Sequence, residues 1–162
     1  MQRCQQHKRR NVLGHLPKAL HASVGKVLTD AYKSPSKKAA KARLLALSKQ
    51  LLDDHPDAAA SLKEGLDETL TVVALNLSPL LQRTLATTNA IENLNGSIRR
   101  IARRVKRWRD GRMVKRWIAA GIIEAERGFH RIRGHKSLAK LVQALKDNAD
   151  AIDELDRKEQ AA

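Results

Sequence analysis

The apolar residues of this chain recur at intervals of three and four along most of its length, and Pro and Gly interrupt them at few points. That period marks amphipathic helices. The spacing predicts a first helix that is short or ends near His15, where Gly14 and Pro17 intervene, and a second from Leu20 to Tyr32. Ser34 and Pro35 read as the cap and first helical residue of a third, running to about Leu52. A fourth is expected from Pro56 to about Leu75, and a shorter one from Pro79 to about Thr84. The next spans Asn89 to Val105. Asp110-Gly111 then makes a turn and cap for a helix ending near Arg127, and Gly134 sets off a last amphipathic helix from about Leu138 to Asp147. Only Gln2 to His7 could form a strand, too short to build a sheet alone. The expected class is mainly α.

Composition sharpens the picture in two ways. Hydrophobic residues make up 42% of the 162 positions, enough for a core, but aromatics only 2%, so the core must be aliphatic. The formal net charge of +15 favours polyanionic partners and speeds their approach. Nucleic acid is the expected partner. No window approaches the roughly 18 apolar residues of a membrane span, so no membrane partner is expected. The single cysteine, Cys4, allows no internal disulfide, and no apolar stretch follows the basic residues at the N-terminus. These features suit a cytoplasmic, nucleoid-associated protein.

The helix from Asn89 carries the most specific chemistry. Ile91, Leu94, Ile98, Ile101 and Val105 form one narrow stripe that should face a core. With Glu92 at zero, Arg99 falls at about −20°, Arg103 at about +20° and Arg107 at about +60°. Glu92 therefore shares the opposite face with a row of arginines, flanked by Arg100, Arg104 and Lys106. From Arg99 to Arg116 there are ten basic residues and one acid, Asp110. Like charges at i,i+4 destabilise an isolated helix, so such a face calls for a polyanion; the bland alternative is a solvated side. No aromatic interrupts the run before Trp108, so phosphate contact rather than base stacking is the expected mode. Asn89 and Asn95 complete the candidate DNA-binding set.

Glu92 itself allows two accounts. Asn89-x-x-Glu92 has the form of a capping box. A carboxylate beside phosphates could instead hold Mg²⁺, but a two-metal site needs further acids. Asp53, Asp54 and Asp57 are the clustered candidates upstream, and their place at a helix break is explained more simply by capping. Cys4 and His7 have metal-like spacing, yet two ligands do not make a zinc site. Trp108 and Trp117 are expected to anchor the basic segment to its helices.

Two segments resemble the C-terminal half of Mutator-type insertion-sequence transposases. Gln2 to Pro17 looks like the family's Cys-x-x-His block, here Cys4 to His7, followed by its His-Lys-x-Arg-Asn-Val run, here His7 to Val12. Thr87-Thr88-Asn89-Ala90-Ile91-Glu92-Asn93-Leu94-Asn95, with Arg99-Arg100, looks like the block holding the last acid of the Asp-Asp-Glu triad. The resemblance covers roughly residues 2 to 146. It implies an RNase H-like nuclease with a helical insertion before the Glu, Glu92 as catalytic and metal-binding carboxylate, Mg²⁺ as the intact enzyme's cofactor, and DNA cleavage and strand transfer as the activity. Cys4 and His7 would be structural, packing their block against the Glu92 helix.

On this basis residues 1–17 are expected to end the catalytic core, 18–86 to form the insertion, 87–147 to carry the Glu-bearing and basic helices, and 148–162 to be an acidic, frayed tail. In the family both catalytic Asp residues precede the Cys-x-x-His block, and only three residues precede Cys4 here. The chain therefore reads as a fragment, with the central sheet largely missing, inactive alone and binding no metal stably. A non-enzymatic DNA-binding or regulatory protein, acting by self-association or by pairing with an intact transposase, is the alternative.

Overall fold

The computed structural model describes the backbone of residues 2–160 and the side chains of residues 2–149. Among the described residues every regular element is helical and no strand occurs. The chain divides into two compact units, Met1–Thr87 with Arg133–Ala162, and Thr88–Ile132.

The first unit holds α1 (Gln5–Gly14), α2 (His21–Tyr32), α3 (Lys37–Leu51), α4 (Pro56–Lys63), the one-turn helices α5 (Leu66–Thr69) and α6 (Thr71–Ala74), and α7 (Pro79–Leu85). Helices α1 to α4 pack on one another. Their inward positions, among them Val12, Leu28, Leu44 and Leu62, are fully buried in one aliphatic cluster. The scarcity of aromatics is thus met by interdigitated leucines.

Three local expectations change here. Residues 5–7 belong to α1 rather than a strand. The chain before α1 is tied down instead by Arg3 N donating to Glu68 O at 3.0 Å and Gln5 N to Ala86 O at 2.9 Å. The cap of α3 is Ser36, whose hydroxyl accepts from Ala39 N at 3.2 Å, and not Ser34, which bonds back to Asp30 O. The helix expected from Pro56 to Leu75 breaks at Gly65, which takes a left-handed φ of 59° that a side chain would strain.

The C-terminus of α4 is closed by a group from far away in sequence. The ammonium of Lys8, only 4% exposed, donates to Ser61 O and Glu64 O at 2.6 Å each. It satisfies two carbonyls that the helix end leaves without partners. Glu64 also accepts from Arg3 at 2.7 Å.

The last segment of this unit carries α10 (Leu138–Gln160), which continues beyond Asp147, where the sequence placed its end. Ala161 and Ala162 of the acidic tail lie outside the described residues.

The second unit is a helical hairpin, α8 (Asn89–Ala102) and α9 (Gly111–Glu126), packed along each other. Gly121 is buried, and a Cβ there would come within 3.1 Å of Ile98 Cα. The missing side chain is what lets the two backbones approach. Asp110 caps α9 as expected, accepting from Met113 N at 2.7 Å.

Candidate nucleic-acid interface

Helix α8 stops at Ala102, three residues before the expected end, with Val105 N donating to Ala102 O at 3.0 Å in a tight turn. Extending it would add the like-charged pairs Arg99–Arg103, Arg100–Arg104 and Arg103–Arg107, each unfavourable. Arg99 and Arg100 therefore lie in the last turn, Arg103 at the C-cap, and Arg104 just beyond it. Lys106 and Arg107 sit in residues 105–110, which form no helix or strand. The row of arginines drawn from the helical period ends at Arg103 and does not reach Arg107.

Asn89, Glu92, Asn95, Arg99, Arg100, Arg103, Arg104, Lys106 and Arg107 are all exposed. Ion pairs in this unit join Arg112 to Asp110 at 3.8 Å and Arg127 to Glu124 at 2.8 Å. None is recorded for the six candidate cations among the described residues. Residues 88–132 hold twelve Lys and Arg against four Asp and Glu, a net of +8, while the larger unit carries the remaining +7. Arg99 and Arg100 also stand where the helix dipole favours cations.

The stripe opposite the arginines is not enclosed. Leu94, Ile98, Ile101 and Val105 are half-buried, Ile91 is 61% exposed, and no residue of α8 is buried. Within its own unit α8 packs along α9.

Glu92 does not close a capping box with Asn89. Asn89 is the first helical residue, Thr88 holds the cap position, and Ile91 occupies the third helical position that a box requires of the acid. The Thr88 hydroxyl instead donates to Glu92 Oε1 at 2.6 Å, alongside the backbone bond from Glu92 N to Thr88 O at 2.9 Å. The carboxylate is thus exposed and oriented by its own helix start.

A divalent ion of the two-metal kind needs several convergent carboxylates. Among the described residues no three His, Cys, Asp or Glu side chains form such a group. Asp53 and Asp54 are exposed in the turn after α3, and Asp57 lies in the first turn of α4, all in the larger unit. Cys4 and His7 are half-buried at the start of α1, which packs on α2 and α4. Among the described residues the donors do not fit a metal site. A shallow recess of about 700 Å³ in the larger unit is lined by Arg10, Asn11, His15, Asp57 and Glu64 and includes neither Glu92 nor any of the candidate DNA-binding residues. No helix among the described residues is long and apolar enough to cross a membrane.

Trp108 shows what sequence reasoning missed. It is 44% exposed within the irregular segment, whereas Trp117 is half-buried on α9. The signal was its place among Lys106, Arg107 and Arg109, an aromatic residue with cations on both sides.

No curated protein matches the chain. Residues 1–131, most of its length, match the family described as "Transposase, Mutator family". The chain belongs to the Mutator family of transposases.

Proposed function

We propose that this chain grips the phosphate backbone of DNA through Arg99, Arg100, Arg103, Arg104, Lys106 and Arg107, as part of a transposase that cleaves and transfers DNA strands. The observation that carries the proposal is a set of exposed cations with no recorded ion pair, concentrated in a unit of net charge +8. Neutralising several phosphates releases counterions, so binding should weaken steeply with salt and depend little on sequence. Asn89 and Asn95, exposed on the same helix, would add polar contacts to the backbone.

Glu92 is the residue this reading assigns to the catalytic centre. A lone carboxylate does not hold the metal pair, so the chain by itself should bind DNA without cutting it. In a protein that carries the family's two aspartates ahead of this segment, Glu92→Gln should abolish divalent-dependent cleavage and leave DNA affinity within about two-fold.

The bond from Thr88 to Glu92 favours a second reading, in which the acid only orders the helix start and the protein is a non-enzymatic DNA-binding regulator, acting by self-association or by pairing with an intact transposase. Duplex titration between 50 and 200 mM salt tests what the two share. A fall in affinity of more than ten-fold is expected, and salt-insensitive binding would remove both. Full cleavage by the Gln variant in the longer protein would select the second.

A further inference from the structure

We propose that Trp108, with Lys106, Arg107 and Arg109 around it, is a stacking site for an unpaired base of DNA. This deepens the DNA-binding reading and rests on it. Residues 105–110 leave the end of α8 without regular structure, and six residues can span about 20 Å. That length covers several nucleotides of a single strand.

Three observations converge on the segment. Trp108 is the most open indole of the two in the chain, at 44% exposure, and an aromatic face left in water is apolar surface still to be covered. Lys106, Arg107 and Arg109 are exposed, with no ion pair recorded among the described residues. Asp110, the one acid in the stretch, is committed elsewhere: it accepts from Met113 N at 2.7 Å and faces Arg112 at 3.8 Å. What remains is an aromatic ring bracketed by cations, the combination that binds single strands by pairing phosphates and stacking bases. Paired bases in a duplex already stack on their neighbours and offer no free face. The site should therefore discriminate unpaired from paired DNA while tolerating any base.

The test uses the full chain carrying Trp117→Phe, so that fluorescence reports Trp108. Saturating oligo(dT) should quench that fluorescence more than an equal-length duplex does. In the otherwise native chain, Trp108→Ala should weaken oligo(dT) binding about ten-fold and duplex binding less than two-fold, and Trp108→Phe should retain most of the single-strand affinity. Circular dichroism of each variant separates these effects from unfolding. If Trp108→Phe folds and loses as much as Trp108→Ala, or if oligo(dT) leaves the fluorescence unchanged, the stacking site is wrong. If duplex binding is absent while the Trp108 dependence persists, backbone binding to duplex is the reading that falls.

Discussion

The two units carry nearly the same excess of positive charge and very different interiors. In the larger one, leucines and valines from α1 to α4 are fully buried. In residues 88–132 only Gly121 and Ala125 are buried among the described residues. The comparison separates two uses of an amphipathic helix. Where apolar faces meet each other, burial at about 25 cal/mol per Å² holds the fold together. In the helical hairpin the apolar stripe of α8 stays half open, and the cations of its last turn are exposed.

Core truncation should show the contrast most strongly. Leu62→Ala or Leu44→Ala removes a fully buried side chain and should cost about 2–5 kcal/mol in denaturant unfolding. Ile91→Ala, at an exposed position of α8, should cost less than about 0.5 kcal/mol. Similar costs at the three sites would mean that the hairpin is a core element after all.

Next in size is the long-range cap on α4. Lys8→Met keeps the buried aliphatic stem but leaves the Ser61 and Glu64 carbonyls without their donor, at about 1–3 kcal/mol. Gly121→Val should have a comparable effect, confined to the hairpin, because its side chain meets Ile98 backbone. Hydrogen exchange should then rise in residues 89–126 and stay unchanged in α1 to α4. A global rise would show that the two units unfold together.

Acidification gives the smallest effect and should act on the larger unit. The hydrogen bond from Arg3 holds Glu64 below the usual carboxylate range, and that from Lys41 does the same for Asp67. Carboxyls with lowered folded pKa values lend stability that is fully present above their unfolded pKa and is lost as pH falls through the folded one. A modest loss of stability is therefore expected below about pH 4, and Glu64→Gln should flatten it. Both groups are exposed, so the change is small.

Local signals were legible in the sequence and long-range ones were not. Asp110 before an apolar-periodic run marks its helix start, and Pro56 and Pro79 open theirs, because the cap and its helix are neighbours. The break at Gly65 was hidden because its stabilising donor, Lys8, lies more than fifty residues away. The end of α8 was misplaced because Val105 keeps the apolar period while the intervening arginines oppose another turn. The candidate set of Glu92 and its arginines rests on spacing and family resemblance together. The exchange of Asn89 for Thr88 as the residue that orders Glu92 depends on where the helix starts, which periodicity fixes only to within a residue or two.

The central claim is that DNA meets the cations of residues 88–132 rather than charge in general. It is tested most directly by comparing two triple variants in the salt dependence of duplex binding. Arg99→Gln with Arg100→Gln and Arg103→Gln should lower the slope of log affinity against log salt by about 2.7. Lys26→Gln with Lys33→Gln and Lys38→Gln, exposed cations of the larger unit, should leave that slope nearly unchanged. Equal reductions from the two triples, or none from the arginine set, would contradict the account.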